Sequence, residues 1–114
     1  MPDIKAIVEE IMSKNMWLNG MYDFKEGDLM AILNQSEKFN SITEFDDLQK
    51  LHETIKQYDG VFKYKNLLFF RDWKYGVFVY DITDEDREHY VEHLDHDIEY
   101  DKFVGIVKGL IKEG

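Results

Sequence analysis

The chain has 114 residues, no cysteine, 44% apolar residues and a formal net charge of −10. Those values exclude a disulfide framework, a thiolate nucleophile and a cysteine-based zinc site. They also exclude disorder, since one domain spanning residues 1–114 buries roughly two-thirds of its unfolded surface at this size.

The negative charge opposes every phosphate contact, so it disfavours nonspecific binding to nucleic acid or to an anionic membrane. It favours a protein partner with a basic surface. Asp3, Glu9 and Glu10 interrupt any apolar signal-peptide region. The longest apolar window near the C-terminus, 103–111, contains Lys108 and is far short of the about twenty residues of a membrane span. The expectation is a soluble cytoplasmic protein with no membrane contact.

In chain order, Ile4, Ile7, Val8, Ile11 and Met12 place one apolar stripe on a helix over 3–14, with Pro2 at its start. Met16-Trp17-Leu18 reads as a short edge strand before the Asn19-Gly20 turn. Asp28 can cap a second helix over 29–38, with Leu29, Ile32 and Leu33 inward. Ser41-Ile42-Thr43-Glu44 has the capping-box pattern, which predicts a third helix over 42–58 with Phe45, Leu48, Leu51, Ile55 and Tyr58 on its buried side.

From Val61 the period changes from helical to alternating. Phe62 and Tyr64 alternate with Lys63 and Lys65, Lys65-Asn66 reads as a tight turn, and 67–71 continue the sheet. Residues 72–76 form a hairpin loop before the strand Val77–Ile82, whose two faces are both apolar. Thr83 then reads as the cap of a fourth helix over 84–94, its acidic first turn complementing the helix dipole. A fifth helix over 98–112 buries Phe103, Val107, Leu110 and Ile111, with Gly105-x-x-x-Gly109 read as a close-packing stripe. The predicted class is α+β: three N-terminal helices, a two- to three-stranded antiparallel sheet, then two C-terminal helices.

This order of helix, short strand, helix, helix and hairpin over roughly 3–82 resembles a winged-helix domain. The resemblance implies a third helix facing the DNA major groove and a basic hairpin as the wing. The residues on that helix's outer side are Thr43, Asp46, Lys50, Glu53, Thr54 and Gln57. Two acids against one lysine repel phosphate there, which leaves protein contact as the better use of such a module.

Charge is segregated along the chain. Residues 61–80 carry four Lys/Arg against one acid, while 1–60 carry six against twelve and 81–114 four against eleven. Two candidate binding surfaces follow. The hairpin offers Lys63, Lys65, Arg71, Trp73, Lys74 and Tyr75, residue types that anchor interfaces. The acidic C-terminal segment offers Asp84, Glu85, Glu88, Glu92, Asp95 and Asp97. On a helix, Asp84, Glu88 and Glu92 would form a line of charges about 6 Å apart, as in small phage-encoded DNA mimics, which the segment resembles in composition.

His89-Tyr90-Val91-Glu92-His93 spells H-x-x-E-H, and two histidines four apart on a helix can share a metal. The helical wheel leaves His89 and His93 facing solvent, where His96, Asp97 or Glu99 could complete only an adventitious site without the dry cavity that catalysis needs, so they stand as weak metal candidates. His52 falls on the apolar side of its helix and reads as a hydrogen-bonded core histidine. No phosphate-binding loop, dinucleotide fingerprint or activated serine is present, and no cofactor is expected. The sequence therefore reads as a non-enzymatic, acidic protein-binding module, in its narrowest form a phage or mobile-element inhibitor of a host nucleic-acid-handling protein. The alternatives are a winged-helix-like regulator using the basic hairpin, or a small metal-binding protein.

Overall fold

The computed structural model describes residues 4–14, 42–72, 76–84 and 89–111. The expected strand at Met16-Trp17-Leu18 and the expected helix over 29–38 lie outside the described residues. So do Ser41, Trp73, Lys74, Tyr75, Glu85 and Glu88. The described elements are α1 (Ile4–Lys14), β1 (Ile42–Phe45), α2 (Leu48–Ile55), β2 (Gly60–Tyr64), β3 (Leu67–Asp72), β4 (Gly76–Asp81), β5 (Glu92–Leu94) and α3 (Tyr100–Leu110).

The strands form one five-stranded sheet in the order β1-β2-β3-β4-β5. β1 runs parallel to β2, and every other pair is antiparallel. The α+β class holds, but the expected arrangement of helices around a small antiparallel sheet does not. Among the described residues, three helices enclose a five-stranded mixed sheet: β1 takes the first residues of the expected third helix, which shortens it to α2, and β5 takes the last residues of the expected fourth. No helix among them is long and apolar enough to cross a membrane.

Both faces of the sheet are covered, because its central strands carry apolar side chains at odd and even positions alike. One face sends Val61, Leu68, Phe70, Phe78 and Tyr80 against the stripe of Ile7, Val8 and Ile11 on α1. The other sends Phe62, Leu67, Phe69, Val77 and Val79 against Leu51 and Ile55 of α2 and Phe103 and Val107 of α3. All six residues of β4 are buried. A strand dry on both sides reads as a continuous apolar run, which is the pattern of 77–80.

The first correction concerns residues 42–45, expected to begin a helix. They instead pair in parallel with β2, Ile42 opposite Val61 and Phe45 opposite Tyr64. In an extended segment, Ile42 and Phe45 point to opposite faces. Ile42 accordingly joins the α1 layer, and Phe45 packs edge-on against Phe62 at 5.9 Å. A helix would have put both on one side. The helix begins only at Leu48, where Asp47 is the cap and its Oδ1 accepts the Gln49 N–H at 2.9 Å. Tyr58, expected inward, lies past the helix end and is 62% exposed.

The second correction concerns 84–94. Thr83, expected to cap that helix, turns back towards β4: its N–H and Oγ1 donate to Asp81 Oδ1 at 2.9 and 2.6 Å, a turn that ends the strand. Residues 92–94 are extended and pair with β4, Leu94 opposite Val77 and Glu92 opposite Val79. Without a neighbour, β4 would leave a row of buried backbone donors and acceptors unmet. Pairing satisfies them and buries Leu94 in the same step.

Polar groups inside the fold lock these layers together. The two-residue turn Lys65-Asn66 holds Lys65 at φ +52°. The buried Asn66 donates from Nδ2 to Asp81 Oδ1 at 3.0 Å and to the Leu110 carbonyl at 3.3 Å, tying the turn to β4 and to α3. Tyr80 lies against Phe70 in the α1 layer, ring centroids 5.4 Å apart. Burial, and after it the neighbouring Tyr90 phenol, push the Tyr80 hydroxyl well above the ordinary tyrosine range, so it stays neutral. Gly105 and Gly109 are not a packing stripe. Both are exposed, and a β-carbon at either would meet nothing within 4 Å.

Candidate functional site

The described hairpin cations, Lys63, Lys65 and Arg71, do not converge. Lys63 shares the α1 side of β2 with Val61, and its Nζ lies 3.3 Å from Glu44 Oε1 on β1. Glu44 is 71% exposed, and a pair that open contributes little to stability. Lys65, on the turn, holds its ammonium 5.7 Å from the centre of the Tyr64 ring.

Arg71 points to the opposite face of the sheet and is only 5% exposed. Its Nε donates to the Ile55 carbonyl at 2.8 Å, and one terminal nitrogen donates to the Lys56 carbonyl at 3.1 Å. The other terminal nitrogen pairs with the Asp59 carboxylate. These carbonyls are at the C-terminal end of α2, where the helix leaves acceptors unmet and where a cation complements the dipole. Arg71 is therefore a helix-end clamp, committed inside the fold.

The H-x-x-E-H segment is no helix face. His89 sits in a bend, whereas Glu92 and His93 belong to β5. The His93 ring stacks on Phe78, centroids 4.3 Å apart and planes 16° apart, with Tyr90 edge-on to Phe78 at 5.3 Å. Among the described residues no group of three or more His, Asp or Glu side chains is placed to hold a metal ion. His52 is buried, and its Nε2 lies 2.6 Å from the Ile98 carbonyl. A carbonyl can only accept, so Nε2 carries the proton. The ring also packs against Tyr100 and Phe103, both at 5.3 Å, and so fixes the entry into α3 onto α2.

The acidic segment is where side chains do come together. Between the outer edge of β5 and α3 lies an open cleft of about 490 Å³. Glu92, His93, Leu94 and Asp95 form one wall, Asp97 and Ile98 the end, and Glu99, Lys102 and Ile106 the other wall. Four carboxylates face one ammonium there. Leu94 and Ile98 are buried, while Asp95, Asp97, Glu99 and Lys102 are exposed. The turn from β5 to α3 is closed by the Ile98 N–H donating to the Asp95 carbonyl at 3.1 Å.

Three of the six acids expected to bind, Glu92, Asp95 and Asp97, are brought to this cleft. Asp84 is not: it sits in the turn after β4, its N–H donating to the Asp81 carbonyl. The helical line of Asp84, Glu88 and Glu92 does not form, because Glu92 is in a strand. Some of the acidity has a local use, since Glu99 and Asp101 stand at the start of α3, where negative charge is favourable. Glu99 makes no side-chain capping bond and is exposed.

Sequence reasoning missed the second wall. Glu99, Lys102 and Ile106 recur at i, i+3 and i+7, one stripe of a helix, and that spacing was available as a signal. A second groove of about 510 Å³ lies near the C-terminal end of α3, lined by Leu48, Tyr64, Lys65, Lys108 and Ile111. No family model, no curated protein and no solved structure matches this chain.

Proposed function

We propose that this protein works by binding, without catalysis, and that its partner is a protein presenting lysine and arginine at the β5–α3 cleft. The observation that carries this is the cleft's composition: Glu92, Asp95, Asp97 and Glu99, against the one cation Lys102, around Leu94, Ile98 and Ile106. Apolar surface flanked by like charges suits a basic segment, whose aliphatic stems cover the floor while their charged ends reach the rim. The sequence-level idea of a nucleic-acid imitation rested on a regular helical charge line. With 92–94 extended, that version has no geometric basis and is not carried forward.

The test is affinity capture from a lysate of the native organism with three baits. These are the wild type, the triple variant Glu92→Lys/Asp95→Lys/Asp97→Lys, and the control Asp46→Lys/Glu53→Lys, whose exposed acids lie elsewhere. The expected result is a basic protein retained by wild type and control, lost by the triple variant and released by salt. Exposed charges act over a screening length of about 8 Å at physiological ionic strength, so binding of this kind weakens as salt rises. Equal capture by all three baits would remove the cleft as the contact surface.

A further inference from the structure

The cleft runs along a strand edge, and its walls indicate how a partner would sit in it. Four consecutive residues, 92 to 95, line it. Successive side chains of a strand point to opposite faces: Leu94 goes into the layer of α2 and α3, while the His93 ring stacks on Phe78 of the α1 layer. A cavity bordered by residues of both orientations follows the main chain of β5, rather than either face of the sheet. Among the described residues β5 is the last strand of the sheet.

The backbone geometry agrees. His93 is opposite Phe78, and their rings stack closely, as in the antiparallel pairs that do not exchange hydrogen bonds. The N–H and C=O of such a residue point away from the neighbouring strand. The His93 N–H indeed donates to Glu92 Oε1, at 3.2 Å. An acidic side chain thus covers the outward donor of β5.

Resting on the binding reading above, we infer that the cleft takes an extended, lysine- or arginine-bearing segment of the partner as an added strand on β5. The partner's carbonyl replaces the Glu92 carboxylate on the His93 N–H. Glu92 is then released to pair with a cation of the incoming strand. Addition of an extended segment to an exposed sheet edge is a recurrent recognition mode, in which main-chain bonds supply affinity and alternate side chains supply specificity. Every second side chain of the added strand points towards the α3 wall, where Glu99, Lys102 and Ile106 stand. Covering an edge donor with a charge also discourages indiscriminate pairing, so only a segment that satisfies Glu92 in return gains from displacing it.

The experiment uses the intact protein and three synthetic probes of equal charge, followed by fluorescence anisotropy at low salt. The first is an alternating lysine–valine peptide, the second the same peptide with its central amides N-methylated, the third an alanine-rich helical lysine peptide. The first is expected to bind and to shift the amide resonances of residues 92–95. Each methyl group should weaken it by roughly two- to tenfold, the worth of one backbone hydrogen bond, and the helical peptide should bind more weakly still. Equal binding of all three probes, sensitive to the Glu92/Asp95/Asp97 reversal, would overturn the strand mode and leave the acidic cleft as the contact surface. Failure of the alternating peptide to bind would overturn the strand mode too, and the capture comparison decides the binding reading independently. Binding indifferent to the reversal would overturn both.

Discussion

Replacing Arg71 with alanine is expected to lower the unfolding free energy by about 3–5 kcal/mol, read from a denaturant titration. The side chain is buried, and the substitution strands three partners at once: the Ile55 and Lys56 carbonyls and the Asp59 carboxylate. Two of those acceptors belong to the end of α2, the helix that carries Leu51 and Ile55 into the core. Arg71→Lys should recover less than half of the loss, because one ammonium cannot reproduce a planar fork reaching three acceptors. Had Arg71 served only a partner, its removal would leave the isolated protein's stability within about 0.5 kcal/mol. The titration therefore decides between the two roles without knowledge of the partner.

Gly76→Ala should be nearly as damaging, at about 2–4 kcal/mol. Gly76 opens β4 at φ +93°, a conformation that L side chains rarely adopt. An added β-carbon would also lie 2.6 Å from the Leu94 carbonyl oxygen and 3.1 Å from His93 Nε2. The first of these is main chain and cannot swing aside. The cost falls on the β4–β5 pairing, so amide exchange should quicken first at Val91 and Leu94, and the cleft should be disturbed with them. Gly105→Ala is the informative contrast. It adds a β-carbon in open space on a helix, and alanine there should gain about 1 kcal/mol. If Gly76→Ala were as mild, the close approach of β4 to β5 would not be a constraint.

Some of this molecule is written locally in its residues. Phe62 and Tyr64 alternating with Lys63 and Lys65 place β2, and the continuous apolar runs 67–70 and 77–80 place β3 and β4. The stripe of Ile4, Ile7, Val8 and Ile11 makes α1 a helix with one inward face, and Phe103 with Val107 does the same for α3. His52 was legible as a core residue because it shares a helix side with Leu48, Leu51 and Ile55. In each case the pattern that forms the element and the pattern that buries it are the same, so short-range reading is enough.

The tertiary structure decided what pairs with what. Residues 42–45 and 92–94 each carry a local helix signal, a capping-box spacing in one and an acid-rich i, i+4 pattern in the other. Both became strands because β2 and β4 present unpaired backbone edges that only a neighbouring strand can satisfy, and that demand outweighs propensities of a few tenths of a kcal/mol per residue. The same long-range pairing turned Arg71 inward, by bringing the end of α2 over β3. It also assembled the acidic cleft, whose walls are set by the β4–β5 register and by the His52 bond to Ile98. Composition and local spacing therefore determined the helix faces, the central strands and the abundance of acids. Which acids meet around one cleft was decided by the chain's distant contacts, because a side chain's neighbours across a sheet edge are not its neighbours in sequence.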